Sequence, residues 1–318
     1  MTTTHEPTIP PPRRLRPWNV VERRLAKVGI SGRFLVLIAP VLWLFVFFLV
    51  PLAVVFGISL ATKQFGRPPY SPLLTTTEEG TVQLTLHLSN YIRLFSDNLY
   101  VAAYLSSIRI AAIATVITLV VGYPMAYAIA RAPDKWRNVL LMLVILPFFT
   151  SFLLRVYALS GFMRGNGVIN QFLGLFGMQP LVMMQTDFAV YVGIVYTYLP
   201  FMILPLYTTL VKLDVSLFEA AADLGARPLR TFLSVTLPLS LPGIIAGSML
   251  VFIPAIGEFV IPSLLGGPET LMIGRVLWDE FFSAANWPRA ASVAVAMLVV
   301  VVVPIMLLQK AQGAVVEK

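Results

Sequence analysis

The stretch DVSLFEAAADLGARP, residues 214–228, lies between two long apolar runs and decides how the rest of the chain is interpreted. Ser216 and Glu219 have the spacing of a capping box, which predicts the start of a short helix. Gly225 predicts its end, because glycine readily adopts the left-handed conformation that follows a last helical turn. An amphipathic pattern then resumes over residues 227–237. We therefore expect a helix, a turn and a second helix, which together form an elbow.

Outward from this elbow, the sequence holds six apolar runs long enough to cross a membrane. The 318 residues are 58% hydrophobic and 12% charged, about half the charged fraction of a soluble domain, and the mean hydropathy is +0.84. A membrane-crossing helix needs roughly 20 mostly apolar residues. The chain is therefore predicted to be an all-α membrane protein with six transmembrane helices. The predicted spans are residues 34–60, 106–130, 138–159, 188–211, 241–265 and 290–308.

The basic residues predict which segments face the cytoplasm. The richest basic cluster precedes the first span, and the positive-inside rule places it in the cytoplasm. An even number of spans then returns the C-terminus to the same side, and the elbow is cytoplasmic as well. Residues 1–33 become a cytoplasmic basic and proline-rich tail, and residues 34–60 the first transmembrane helix. The predicted external segments are residues 61–105, 160–187 and 266–289.

Several classes of site are excluded by composition. The chain has no cysteine, which excludes thiolate metal sites and cysteine nucleophiles. Its two histidines, His5 and His87, lie outside the predicted spans and cannot form a histidine-based metal or acid–base cluster there. The net charge of +8 is dispersed between apolar runs, so we expect membrane lipids and no nucleic acid as partners. No GxxxxGK[ST] phosphate loop is present, so ATP hydrolysis must belong to another chain.

The elbow resembles the EAA loop of the permeases of type I ABC importers. The matching residues, in chain order, are Glu219, Ala220, Ala221, Gly225, Val235, Leu237 and Pro238. The family commonly has isoleucine where this chain has Val235. The resemblance implies a type I ABC importer permease fold with a cytoplasmic coupling helix. It also implies a transmembrane domain over residues 101–310, with a five-helix core and an EAA loop at 215–238.

The coupling mechanism of type I ABC importers implies which partner subunits this chain has. In type I ABC importers, the coupling helix docks on an ATP-binding cassette subunit and transmits its closing motion to the membrane helices. The resemblance implies two copies of that ATPase, a second permease subunit and a periplasmic substrate-binding protein. The chain itself is then a transport subunit without cofactors, not an enzyme, since ATP and Mg²⁺ are bound by the partner subunits. Its expected location is the bacterial inner membrane, with both termini in the cytoplasm.

Glu258 stands within the fifth predicted span, and it has two interpretations. A charged side chain at mid-membrane costs roughly 2.5–3.5 kcal/mol on insertion scales, so it normally faces protein or water. It can serve as the counter-charge of a cationic substrate, or it can form an internal ion pair with Arg155 or Arg109. The sequence leaves both interpretations open.

Aromatic residues raise a similar question about the substrate. The rings of five residues can bind an ammonium chain through cation–π contacts, or they can pack and anchor at the membrane interface. These residues are Trp43, Tyr123, Tyr127, Tyr196 and Tyr198. The external acids Glu269, Asp279 and Glu280 can likewise gather cations, contact a delivery protein or simply be solvated.

Three further stretches resemble the putrescine branch of the spermidine/putrescine permeases: residues 146–157, 253–267 and 273–278. This resemblance implies import of a polyamine, with putrescine first, and a substrate pathway that includes Glu258, Trp43, Tyr196, Tyr198 and Arg155. Polyamine systems usually pair two different permeases. Permeases for opines, other amines or oxyanions share part of these motifs. A secondary transporter driven by an ion gradient, with Glu258 as its proton site, is the remaining alternative, although it does not explain the elbow.

Overall fold

The computed structural model describes residues 32–76 and 81–316, and the chain divides into two compact units, residues up to Gly57 and residues from Ile58 onward. The described part of the first unit is helical: α1 is Gly32–Leu44, a π turn covers Phe45–Leu49, and α2 is Val50–Ser59. Together these elements form one helix, and its segment Leu37–Ser59 is long and apolar enough to cross a membrane. It corresponds to the first predicted span. Residues 1–31 of the predicted tail lie outside the described residues.

The second unit is also mostly helical. A small antiparallel hairpin, in which Thr75 pairs with Gln83, is the exception to the all-α prediction within the described residues. The elements are β1 Leu74–Thr76, β2 Val82–Leu84, α3 Ser89–Ser96, α4 Asn98–Arg131, α5 Asp134–Ile145, α6 Phe152–Met163, α7 Val168–Leu175, α8 Asp187–Leu210, α9 Ser216–Asp223, α10 Pro228–Thr231, α11 Leu237–Leu239, α12 Leu241–Ile256, α13 Val260–Leu265, α14 Ile273–Trp278 and α15 Trp287–Val316.

Not every predicted span is one straight helix. Three helices of the described residues are long and apolar enough to cross a membrane: Leu37–Ser59, α4 and α8. Two bent pairs raise the number to five if each pair is one span, Asp134–Phe149 with Phe152–Leu175 and Pro228–Leu239 with Leu241–Ile256. The sixth predicted span lies in α15, in which the segment Trp287–Val303 is apolar. The number six therefore stays a prediction.

The third predicted span, residues 138–159, is broken, and the expectation of one helix there was wrong. The chain tightens into a 3₁₀ turn over Leu146–Phe149, and Thr150 is extended. Both the amide and the hydroxyl of Thr150 donate to the carbonyl of Pro147, at 3.2 and 2.7 Å. These local bonds replace the α-helical ladder, and the two halves of the pair meet at 95°.

The fifth predicted span, residues 241–265, is also interrupted. Helix α12 ends at Ile256, Gly257 follows it, and α13 begins only at Val260. The break lies at Glu258, whose contacts are described below with the candidate site. An average hydropathy over the run does not register this break, because the residues on both sides are equally apolar.

The core of the second unit lies where α4, α8 and α12 meet. Met202 of α8 is fully buried, with Gly122 of α4 and Gly247 of α12 close by. A Cβ at Gly247 would lie 2.8 Å from the Met202 sulfur, and one at Gly122 would lie 3.1 Å from Met202 Cγ. The two glycines let the helices approach closely, which is how helices associate in membranes.

Gly247→Ala is expected to destabilise the protein by about 1–3 kcal/mol, because the added methyl group overpacks the contact with Met202. The matched control is Gly161→Ala in α6, where a Cβ would meet nothing within 4 Å and alanine has the higher helix propensity. Thermal unfolding in detergent measures both. Equal Tm shifts in the two variants would show that this close approach is not important.

Candidate functional site: a coupling elbow and a buried carboxylate

The elbow predicted from residues 214–228 is present, and Gly225 ends its first helix as expected. Helix α9 stops at Asp223, and Gly225 has a φ of +74°. The amide of Ala226 donates to the carbonyl of Ala221 at 3.0 Å, and the amide of Gly225 donates to that of Ala222 at 2.8 Å. This pair of bonds is a Schellman motif. The turn is therefore fixed by a backbone conformation that glycine adopts without cost.

The start of α9 differs from the prediction, since Ser216 and Glu219 do not form a capping box. The Asp214 carboxylate accepts a hydrogen bond from the amide of Ser216 at 3.0 Å instead. This bond lowers the pKa of the Asp214 carboxyl, because a backbone donor favours its charged form. Asp214 competes successfully because an aspartate side chain readily bonds the amide two residues ahead. The Glu219 side chain is thus left exposed on the surface of α9.

The second arm of the elbow combines α10, a π turn over Phe232–Thr236, and α11. It bends by 65° into α12. Leu237 is half-buried and Pro238 is exposed in α11. This arm confirms the predicted second helix in outline.

The outer surface of the elbow carries exposed apolar side chains. Leu224 is 88% exposed and Leu229 is 70% exposed. Glu219, Ala220 and Gly225 are exposed beside them, and Ala221 is half-buried. Large apolar residues clustered on a segment outside the spans are typical of a surface that another protein covers.

The elbow is fixed to α4 at two points. The guanidinium of Arg131, the last residue of α4, lies 4.1 Å from the ring centre of Phe218 in α9. Further along, the Tyr123 hydroxyl lies 2.8 Å from Ser240 Oγ, which donates to the carbonyl of Leu237 at 3.0 Å. A force applied to the elbow therefore reaches α4 directly. Tyr123 is buried and bonded here, which favours the packing alternative for this ring over a contact with substrate.

Glu258 forms neither of the ion pairs considered for it. It is 8% exposed, and its Oε2 accepts a hydrogen bond from the Tyr198 hydroxyl at 2.6 Å. Its Oε1 accepts from the amides of Val260 and Ile261, at 3.1 and 3.4 Å. The side chain thus satisfies the first free amides of α13, as the cap of a helix does. This explains why the predicted fifth span breaks here.

The two arginines considered as its partners have other contacts. Arg109 pairs with Asp187 at 3.3 Å, and both side chains are largely exposed. The Arg155 guanidinium lies 5.2 Å from the ring centre of Phe148 and 6.0 Å from that of Phe152. Of the two interpretations left open for Glu258, the ion pair with Arg155 or Arg109 is therefore not formed.

A chain of aromatic contacts nevertheless connects Arg155 to Glu258. Phe148 meets Phe201 edge to face at 5.1 Å, and the ring of Phe201 lies 6.0 Å from that of Tyr198. Tyr198 in turn bonds Glu258. Three predicted pathway residues, Arg155, Tyr198 and Glu258, thus belong to one cluster, joined by phenylalanines that the sequence prediction did not include.

Two other predicted pathway residues lie elsewhere. Tyr196 and Tyr198 are two residues apart on α8, so their side chains point in directions that differ by about 200° around the helix axis. Tyr196 lines an apolar groove of about 460 Å³ between α4, α5 and α8. Trp43 belongs to the N-terminal unit, where its ring lies 4.2 Å from that of Phe47. Tyr127 lies beside Arg131, with 5.7 Å from its ring centre to the guanidinium.

The sequence prediction missed several residues of the site. Asp214 had a local signal, an aspartate two residues before the helix start, and could have been found from it. Arg131 of the elbow anchor had no such signal, because its partner Phe218 is distant in sequence. Phe148 and Phe201 were also missed for this reason.

Comparison with known proteins agrees with this arrangement. Residues 118–317 match the family described as binding-protein-dependent transport system inner membrane component. The spermidine/putrescine transport system permease protein PotB of Escherichia coli (strain K12) is 40% identical over 260 residues, which cover 81% of this chain and 90% of that protein. PotB of Haemophilus influenzae is 40% identical over 259 residues, which cover 81% and 86%.

A solved structure shares the fold. The bacterial alginate ABC transporter, determined in complex with an alginate pentasaccharide-bound periplasmic protein, has a chain that superposes with a TM-score of 0.66 at 16% identity, covering 92% of this chain and 96% of that one. The chain therefore belongs to the binding-protein-dependent transport system inner membrane component family, as a multi-pass inner-membrane permease of the type I ABC importer class.

Proposed function

We propose that this chain is the permease subunit of an ATP-driven polyamine importer and that putrescine is the amine it carries. The PotB relatives are named spermidine/putrescine transport permeases, which supports a polyamine substrate. The resemblance of residues 146–157, 253–267 and 273–278 to the putrescine branch supports putrescine over spermidine. The chain then contributes to the translocation pathway and performs no chemistry itself.

The observation that carries this proposal is the exposed elbow, residues 215–238, fixed to α4. Glu219, Ala220, Ala221 and Gly225, with Leu237 and Pro238 of the second arm, are the proposed coupling residues. The exposed Leu224 and Leu229 give an ATPase subunit an apolar surface to cover. The Arg131–Phe218 contact then transfers the motion of that subunit to α4.

The proposed assembly contains two ABC ATPase subunits, a second permease and a periplasmic substrate-binding protein. ATP and Mg²⁺ are bound by the ATPases. The second permease is proposed to be a different chain. Both termini of this chain are proposed to be cytoplasmic, and closure of the ATPases opens the membrane cavity outward.

The proposed pathway passes the cluster of Arg155, Tyr198 and Glu258. Aromatic faces and a carboxylate are groups that an ammonium ion contacts favourably. Because Glu258 is already used as a helix cap, its first role in this proposal is to hold α13 and Tyr198 in place. Trp43 and Tyr196 remain proposed pathway residues.

The test is a competition assay on the reconstituted importer. ATP-dependent uptake of labelled putrescine is expected to be suppressed by unlabelled putrescine and, less strongly, by spermidine. Opines, neutral amino acids and oxyanions such as molybdate are expected to leave it unchanged. Equal suppression by an opine or an oxyanion would contradict the polyamine assignment.

A second measurement separates the importer from a secondary transporter. Uptake is expected to require both ATP and the ATPase subunit, and an imposed ion gradient alone is expected to give none. Uptake by this chain without the ATPase would contradict the proposed coupling.

A further inference from the structure

Six aromatic rings of the second unit contact one another in series. Phe259 stacks on Trp278 at 4.3 Å with an interplanar angle of 10°, and Trp278 lies 4.1 Å from Phe282. Phe282 meets Phe281 at 4.8 Å, and Phe281 stacks on Trp287 at 5.0 Å. Trp287 lies 6.2 Å from Tyr70. We name this series the aromatic ladder; its members are Phe259, Trp278, Phe282, Phe281, Trp287 and Tyr70.

The ladder connects the break in the fifth predicted span to segments that the sequence places outside. Phe259 is the residue after Glu258. Four rings lie in the predicted external segment 266–289, and Tyr70 lies in the segment 61–105. The ladder therefore leads from the neighbourhood of the buried carboxylate toward the predicted outer side.

The middle of the ladder is open. Trp278 is 40% exposed and Phe282 is 58% exposed, although each already packs against a ring. Buried packing does not explain rings that are stacked and exposed at once. An interfacial belt would also leave aromatic rings exposed, but it does not require them to stack on one another.

The backbone beneath the ladder is irregular. Residues Asp279–Ser283 form a π turn, and Ala285 adopts a φ of +46°. π turns and left-handed non-glycine residues cost free energy and are frequent at functional sites. The irregular turn holds Phe281 and Phe282 edge to face, so that each ring continues the ladder in a different direction.

Two acidic residues, Asp279 and Glu280, lie beside the ladder, and one of them has no ion-pair partner within the described part of the chain. Asp279 directly follows Trp278, its side chain is exposed, and its carboxylate forms no ion pair with any side chain that the structure describes. Glu280, by contrast, is paired with Arg289 at 3.4 Å and accepts a hydrogen bond from Tyr100. Lys63 donates to the carbonyl of Ala284 at 2.8 Å, and no ion pair among the described side chains joins Asp279 to Arg275, one turn earlier in the chain. The Asp279 carboxylate can therefore bind a cationic ligand from solution.

We propose that the aromatic ladder with Asp279 is a binding site for a linear polyamine on the predicted outer side of the permease. An ammonium group binds between the Asp279 carboxylate and the ring of Phe282, three residues further along the same turn, and the methylene chain lies against the exposed edge of Trp278. The proposal deepens the proposed function and rests on it, since it names the residues that receive the amine before it reaches the Glu258 cluster.

The test is equilibrium binding of labelled putrescine, the proposed substrate, to the complete importer in nanodiscs, without the binding protein. Trp278→Leu removes the ring against which Phe282 packs at 4.1 Å while keeping an apolar side chain, and it is expected to weaken binding about tenfold. Asp279→Asn is expected to weaken it to a similar extent. Trp278→Phe is expected to stay within about threefold of wild type, since it retains a ring. Trp136→Leu, at a 58% exposed tryptophan of α5 outside the ladder, is the matched control and is expected to bind as wild type.

Two further arms make the test decisive. Phe282→Leu is expected to weaken binding as well, and at this exposed position the protein is expected to assemble normally. A neutral diol of the same length as putrescine is expected not to compete. No binding to wild type, unchanged binding by Trp278→Leu and Asp279→Asn, or full competition by the diol would overturn the ladder proposal.

The same preparations distinguish this proposal from the proposed function. Wild type is assayed for ATP-driven polyamine uptake with the binding protein present. If wild type carries no polyamine, the proposed function fails. If it does carry polyamine while the ladder variants bind and transport normally, only the ladder proposal fails.

Discussion

Gly225→Val is expected to reduce ATP-dependent uptake at least tenfold while the protein remains inserted and folded. Gly225 has a φ of +74°, and a Cβ there would meet nothing within 4 Å. The penalty is therefore conformational and not steric, and a left-handed β-branched residue costs about 1–3 kcal/mol. Since 1.4 kcal/mol is a factor of ten in an equilibrium, the docked form of the elbow is depleted accordingly.

The matched control at this position is Gly225→Asn. Asparagine tolerates the left-handed conformation, so this variant is expected to keep most of the uptake although its side chain is as large as that of valine. Basal ATP hydrolysis by the assembled complex is measured in parallel, and it is expected to continue in Gly225→Val without uptake. Normal uptake by Gly225→Val would argue against the elbow as the coupling element.

Glu219→Lys tests the same element through charge. Glu219 lies exposed on α9 and is not required as a cap, because Asp214 bonds the Ser216 amide. The variant is therefore expected to fold normally and to lose coupling. A fall in Tm together with the loss of uptake would show that Glu219 stabilises the elbow instead of contacting a partner.

Glu258→Ala is expected to lose both stability and uptake. The substitution leaves the amides of Val260 and Ile261 and the hydroxyl of Tyr198 without their partner in a buried region. Each unsatisfied buried group costs about 1–3 kcal/mol. We expect a fall in Tm of about 10 °C in detergent and little assembled protein in the membrane.

Glu258→Gln is the control that separates charge from hydrogen bonding. Its carbonyl oxygen can accept from the two amides, and its amino group can donate to the Tyr198 oxygen. We expect a Tm within about 2 °C of wild type and at least half of its uptake. A glutamine variant that is as unstable as the alanine variant would show that the negative charge itself is required. A stable variant without uptake would return Glu258 to the role of substrate counter-charge.

The elbow could be predicted from sequence because its signals are local. The position of Gly225 after a helical run and the prolines that follow the second arm act within a few residues. The helix cap was assigned to the wrong side chain for the same reason. Ser216, Glu219 and Asp214 all lie within bonding reach of the first amides, and only the folded geometry selects among them.

The predicted spans show a different limit. Each apolar run that hydropathy identified contains helical structure, and α4 and α8 continue through Pro124, Pro200 and Pro205. Hydropathy did not predict the breaks after Phe149 and Ile256, because each break is made by a polar group that bonds the backbone in place of the helical ladder.

The sequence by itself determined that the chain crosses a membrane, that a bent segment joins two apolar runs, and that this segment resembles an EAA loop. These properties follow from composition, periodicity and residue spacing, which are local. Only the tertiary structure decided that Glu258 caps α13 and bonds Tyr198, 60 residues away, and that Arg155 rests on aromatic rings. Such partners are chosen by which helices pack together, since a buried polar group must bond whatever donor the fold brings within reach.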